Sequence, residues 1–354
     1  MTTRGDFTRV VARRSSKFDD ARTKAVDDAS ETLTRATTCA RLSNFIYKGS
    51  AVEQWIAEDG FDVIASGATG ATAWRVCDRR GERFVVIRGA AWSQPDTDRN
   101  KLSWQIAKVW PIKLRRGVNV VCHQGVYEMV DEFWRDIAPY LTDETFGGKF
   151  SFTGHSLGGS MALVIAARAR LELGIEEDRM MPIHTFGSPP VLAYDGLASG
   201  AGGGMDDILR LCGFSKGAAM VRQFVLAKDI IPRMWLSADP VFSAATKMDL
   251  IASALDWRKR TFGDGIFTRE RFLYQTCGDL YWLEYPSGGA NASAKQPLLT
   301  RHYGDEVLEK LQMELGEVTE SPLAALQTAL DHNSQNYVDA LQFLTVKRIM
   351  NTIA

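Results

Sequence analysis

The chain has 354 residues, with 42 Lys and Arg against 43 Asp and Glu, a formal net charge of -1 and 45% apolar residues. Such a balance describes a globular domain and argues against a dedicated nucleic-acid binder, whose domain carries a basic excess. No apolar run approaches the roughly 18 residues of a transmembrane span, and the five cysteines are odd in number and form no C-x-x-C pair.

In chain order, residues 1–29 read as a basic flexible tail, because Arg4, Arg9, Arg13, Arg14 and Lys17 stand against Asp6 alone over the first 17 residues. A weak transit-peptide character and an ordinary solvated tail both fit that stretch. Residues 30–354 are expected to form one domain, opening with a helix in which Leu33, Ala36, Ala40, Leu42 and Phe45 roughly keep the 3.6 period. Three strand-like runs follow, Phe61 to Ser66, Ala71 to Cys77 and Arg83 to Arg88, with a turn at Asp78 to Gly81 between the last two.

A strand at Val118 to Cys122, a helix at Val126 to Leu141, a strand at Lys149 to Thr153 and a helix at Ser160 to Leu173 come next. Strands at Pro182 to Phe186 and Val221 to Leu226 flank a glycine-rich loop at Gly196 to Gly204 and a short helix at Asp206 to Cys212. An insertion over about 234–300 is expected to hold a hairpin, Phe272 to Thr276 with Leu280 to Tyr285, followed by a loop. Two helices close the chain. Short buried strands alternating with helices predict an α/β fold, a mostly parallel central sheet with helices on both faces.

The sharpest motif is Gly154-His155-Ser156-Leu157-Gly158-Gly159, between a predicted strand and a predicted helix. This is the G-x-S-x-G elbow in the context that the motif demands: glycines permit the tight turn, and the bend lifts the serine hydroxyl clear of the sheet. The N–H of Leu157, at the helix start, is a candidate oxyanion donor. A serine hydroxyl needs a base, and in this fold class the partners follow in the order Ser, acid, His. Only His302, read in a polar loop, and His332, read at the start of a helix capped by Asp331, come late enough, and the preference for His332 rests partly on a family resemblance. Asp229 fits the acid, just past the strand Val221 to Leu226 and before Pro232. Asp206 and Asp207 are explained more simply as favourable charges at a helix start. The glycine turn that ends Val85 to Ala90 is by itself an ordinary strand end, and the Ala90 N–H becomes the candidate second donor through a family resemblance.

Taken together, Phe84-Val-Val-Ile-Arg-Gly89, His123-Gln-Gly-Val-Tyr127, Phe152-Thr-Gly-His-Ser-Leu-Gly-Gly159, Thr185-Phe-Gly-Ser-Pro189, Lys228-Asp-Ile-Ile-Pro-Arg233 and Asp331-His332 with Tyr337 resemble the class 3, fungal-lipase-like α/β hydrolases, and within them the plastid lipases of plants and algae. The resemblance spans about residues 60 to 345. It implies the α/β-hydrolase fold with Ser156 as nucleophile, His332 as base, Asp229 as its orienting acid and Ala90 with Leu157 as oxyanion donors. The family usually carries Ser or Thr at the Ala90 position, so a hydroxyl contact is missing here.

The resemblance also implies a lid at about residues 91–117, where Leu102, Ile106, Val109 and Trp110 keep helical spacing up to Pro111. Trp92 and Trp104 add apolar area, and six basic residues stand against Asp96 and Asp98. This composition suits contact with an anionic lipid interface, and equally a buried amphipathic helix with solvated Lys and Arg. The implied activity is hydrolysis of glycerolipid acyl esters at a membrane or micelle surface, in a plastid, with no metal or organic cofactor. A lipase-like binding protein without turnover and an esterase for small soluble esters are the alternatives.

Overall fold

The computed structural model describes residues 31–195, 205–226, 228–233, 274–285, 296–304, 307, 310–311 and 330–353. The expected tail at 1–29, the glycine-rich loop and most of the expected insertion lie outside the described residues. The main sheet has eight strands in the order β1-β2-β3-β6-β7-β9-β10-β11. These are β1 (Asp62–Ala68), β2 (Ala73–Arg79), β3 (Glu82–Ile87), β6 (Lys149–His155), β7 (Ile183–Phe186), β9 (Val221–Leu226), β10 (Asp279–Glu284) and β11 (Leu298–His302). The five central strands β3, β6, β7, β9 and β10 run parallel, and antiparallel strands close both edges.

Period-two alternation divides the core. Val85 and Ile87 of β3, with Phe150 and Phe152 of β6, face α4 (Gln124–Leu141) and α5 (Leu157–Leu173). Phe84 and Val86, with Phe186 and Phe224, face the opposite way, against α1 (residues 31–45) and α7 (Ser334–Ile353). Helices therefore cover both faces, as parallel strands require. Helix α5 is buried from Leu157 to Ala169, which is why its sequence is rich in Ala and Leu on every side. All five cysteines are free and buried, and burial pushes the thiols of Cys39, Cys77 and Cys212 up to about 12.

Three expectations differ from the structure. The strand at β5 (Val120–His123) does not enter the main sheet but joins β4 (Pro111–Lys113) and β8 (Leu192–Tyr194) in a small second one. The partner of β10 in its hairpin is β11, from the stretch expected to be a loop, whereas Gln275 bridges to Leu192. Strand β10 also pairs parallel with β9, so it extends the central sheet. Finally, no helix begins at His332: residues 330–331 are helical, His332 lies in the turn and α7 starts at Ser334. The Asp331 carboxylate accepts the Lys228 N–H at 2.8 Å and so holds the neighbouring loop.

Candidate active site

The elbow joins β6 to α5. A Cβ on Gly154 would lie 2.4 Å from the carbonyl carbon of Gly158, and one on Gly158 would lie 2.2 Å from the carbonyl oxygen of Ile87. Strand, turn and helix approach so closely that only glycine fits at both positions. Ser156 between them has φ 57° and ψ -137°, a conformation that costs an L-residue about 1–3 kcal/mol and persists where surrounding structure over-determines it. The Ser156 N–H donating to the Phe186 carbonyl (2.8 Å) and the Gly159 N–H donating to the Ser156 carbonyl (3.0 Å) supply that constraint.

His332 Nε2 lies 2.8 Å from Ser156 Oγ, while its Nδ1 lies 3.0 and 2.9 Å from the two carboxylate oxygens of Asp229. Three residues separated by 73 and 103 positions are thus brought into one hydrogen-bonded chain. Asp229 is fully buried and its remaining capacity is filled. Oδ1 accepts the Ile231 N–H at 2.9 Å, and Oδ2 accepts the Tyr337 hydroxyl at 2.6 Å. Tyr337 in turn accepts the Leu226 N–H at 3.0 Å, and burial, then the Asp229 charge, raises its pKa so that it stays a neutral donor. The other candidate, His302, is not in a loop but in edge strand β11, where Thr300 Oγ1 contacts its Nε2 at 3.1 Å.

Leu157 opens α5, and Ala90 follows Gly89, where a Cβ would lie 3.0 Å from that of Ser156. Both expected donors therefore border the serine. His155 lies against His332, with ring centroids 4.6 Å apart. Burial first, then repulsion by His332, lowers its pKa well below 6.5 and keeps it neutral. His123 is buried and caps α4, its Nδ1 accepting the Val126 N–H at 3.3 Å. Among the described residues no cluster of three or more His, Cys, Asp and Glu is arranged to hold a metal ion.

Two contributors were missed in the sequence. Gly187, with φ 56°, sits where a Cβ would lie 2.4 Å from Asp229 Oδ2 and 3.2 Å from His332 Nδ1. Its signal was the glycine after the strand in Thr185-Phe-Gly-Ser-Pro189. Tyr337 carries no local signal of its role, because nothing in the sequence says that a tyrosine one turn into a helix reaches the carboxylate of Asp229.

The segment after Gly89 departs from the expected helix. Helix α3 (Arg99–Ala107) starts at Asp98, whose carboxylate accepts the Lys101 N–H at 3.0 Å, and it stops before Val109 and Trp110. The reason lies in α4: its first amides, of Gln124 and Gly125, donate to the carbonyls of Trp110 (2.9 Å) and Lys108 (3.1 Å). Residues serving as that cap cannot continue a helix of their own. Leu102 is buried and Ile106 packs on the core, Val109 is half-buried, and Trp92, Trp104 and Trp110 are 45%, 56% and 42% exposed. Lys101, Lys108 and Lys113 pair with Glu132, Glu128 and Asp195, so the positive field that the composition suggested is partly neutralised.

An eight-stranded, mostly parallel sheet with a serine elbow at the end of a central strand is the α/β-hydrolase fold. Residues 84–238 match the profile of the lipase (class 3) family. The chain is 27% identical over 208 residues to phospholipase A1 PLIP2, chloroplastic, of Arabidopsis thaliana, covering 57% of this chain and 26% of that protein. To phospholipase A1 PLIP1, chloroplastic, of the same plant it is 25% identical over 296 residues, covering 76% and 40%. The chain thus spans about a quarter to two fifths of the length of these relatives. Among solved structures, a fungal lipase–inhibitor complex superposes with TM-score 0.50 at 18% identity, over 72% of this chain and 81% of that one. A deletion mutant of the Rhizomucor miehei lipase propeptide complex does so with TM-score 0.50 at 17% identity, over 72% and 67%. Both bear on the fold alone.

Proposed function

We propose that the chain hydrolyses acyl esters of membrane glycerolipids through an acyl-serine intermediate, with Ser156 as nucleophile, His332 as base and then acid, and Asp229 orienting the imidazole. The observation that carries this reading is the unbroken chain from Ser156 Oγ through His332 (2.8 Å) to Asp229 (2.9 Å). His332 Nε2 takes the hydroxyl proton as Oγ attacks the ester carbonyl. Asp229, buried and already hydrogen-bonded, holds Nδ1–H and balances the imidazolium that forms. The N–H groups of Ala90 and Leu157 hold the developing oxyanion. The imidazolium then protonates the departing lysolipid oxygen, and water repeats the sequence to release the fatty acid.

The phospholipase A1 names of the two relatives support a phospholipid substrate, and their chloroplastic names a plastid setting. Trp92, Trp104 and Trp110, exposed, with Ile106 and Val109, half-buried in the same segment, form the rim that meets the lipid surface. Tryptophan suits such a boundary, since its ring is apolar and its N–H polar. A fluorophosphonate probe tests the chemistry: wild-type protein is labelled on Ser156, and Ser156→Ala is neither labelled nor able to release fatty acid from phosphatidylglycerol liposomes. An unlabelled wild type would favour a lipid-binding protein without turnover.

A further inference from the structure

The end of helix α1 reaches the site from a part of the chain that precedes the family match, at residues 44–47. Asn44 is buried; its amide donates to Gln335 Oε1 at 2.8 Å and its oxygen accepts from Ser334 Oγ at 2.8 Å, directly after the turn that carries His332. Tyr47, three residues on, points the other way. Its hydroxyl accepts the Gly89 N–H at 3.0 Å and lies 3.3 Å from His155 Nδ1, and its carbonyl accepts the Gln94 side chain at 2.8 Å. Leu42, Phe45 and Ile46 fix this corner in the core.

Gly89 must lack a side chain because a Cβ there would lie 2.6 Å from both the His155 carbonyl oxygen and the Tyr47 hydroxyl. Glycine meets that need at a cost in order, since its backbone reaches conformations closed to other residues. The next amide is the Ala90 N–H, which has to aim at the reacting oxygen with no side-chain hydroxyl beside it to share the work. Fixing the Gly89 N–H fixes the peptide plane before that amide, and the Gln94 contact fixes the loop beyond it.

We propose that Tyr47 is a positioning residue: through its hydroxyl it locks the Gly89 turn and the His155 ring, and so aims the Ala90 N–H and seats His332 against Ser156. The proposal rests on the reading of Ser156 and His332 given above. Tyr47→Phe tests it, because the ring and its packing stay while the hydroxyl is lost. The expected result is a fall in kcat of roughly 10- to 100-fold, as misplacement of a reacting group by a fraction of an ångström produces. KM stays within about twofold, the fluorophosphonate labelling rate falls by the same factor as kcat, and the melting temperature moves by no more than a few degrees. Gln94→Ala, which frees only the far side of the loop, gives a smaller fall in the same direction. Tyr47→Phe labelled and turning over within about twofold of wild type overturns the proposal, as does a loss matched by an equal loss of folded protein. If wild type itself is not labelled, the reading of Ser156 fails instead, so the two failures are distinct.

Discussion

The proposed catalytic cluster and the rim at residues 91–117 are built on opposite plans. In the cluster, Ser156, Asp229 and His332 come from distant stretches, and Ser156 and Asp229 are held by hydrogen-bond partners of their own. Phe186 and Gly159 hold the serine turn, Ile231 and Tyr337 the carboxylate, and Asp331 the loop beside it. The rim is one contiguous stretch whose polar groups mostly serve the body of the protein: carbonyls of Lys108 and Trp110 cap α4, and Tyr274 donates to the Val109 carbonyl at 2.8 Å. Among the residues that the rim leaves exposed are three tryptophans, Trp92, Trp104 and Trp110, and three arginines, Arg99, Arg115 and Arg116. Over-determination thus marks the place where strain and geometry matter for the proposed chemistry, and exposed tryptophan marks the place where lipid contact is proposed.

The sharpest way to break this contrast is through the base. His332→Ala is expected to lower kcat by on the order of 10⁶-fold, as loss of a triad histidine does, while His302→Ala, on edge strand β11, leaves steady-state hydrolysis within about twofold. The reverse outcome would sink the assignment. Gly187→Ala is next. A methyl 2.4 Å from Asp229 Oδ2 at a positive φ must push the carboxylate off Nδ1, so kcat should fall by about 10² to 10³ with binding of a fluorophosphonate-inert substrate analogue little changed. Retained activity would mean that the carboxylate tolerates displacement and that the cluster is looser than its hydrogen bonds suggest.

The elbow was legible because it constrains adjacent residues: glycines around a serine, a strand before, a helix after. His332 was legible only by chain order and family resemblance, since its helical context turned out to be a turn. Strand β11 was invisible for a physical reason. Leu298, Thr300 and Arg301 are exposed, and an edge strand with little to bury carries no alternation to read. The early end of α3 was equally hidden, because it depends on two amides of α4 that no local spacing announces. Tyr47, Gly187 and Tyr337 act across the fold, and only the fold brings them into view.

Acid stability follows from the cluster's surroundings. His155 and His184 are buried, and burial lowers both pKa values well below 6.5. Their neutral forms belong to the folded state, so the stability they protect is fully present above about pH 6.5. It is lost as pH falls from there toward the folded values, because the unfolded chain takes up the protons first. Each ring contributes a slope of up to about 1.4 kcal/mol per pH unit in that window. Melting curves between pH 7.5 and 5 should show the decline, and His184→Gln should flatten it. A melting temperature that is level across that range would mean that neither ring is held neutral.

The smallest expected effect concerns the rim's charges, and it separates those used for structure from those left for a surface. Lys101, Lys108 and Lys113 are held by Glu132, Glu128 and Asp195, whereas Arg99, Arg115 and Arg116 are exposed. A basic side chain near an anionic leaflet adds about 1 kcal/mol to binding. Arg115→Gln with Arg116→Gln should therefore weaken sedimentation with phosphatidylglycerol vesicles by roughly 30-fold at low salt. Binding to phosphatidylcholine vesicles, which relies on Trp92, Trp104 and Trp110, should not change. Lys108→Gln should leave both affinities alone and lower the melting temperature slightly, because its charge is spent on α4. If instead Lys108→Gln weakened vesicle binding as much as the arginine pair, the ion pair would have to open at the membrane. The rim would then be a moving element, not the fixed edge that its bonds to α4 describe.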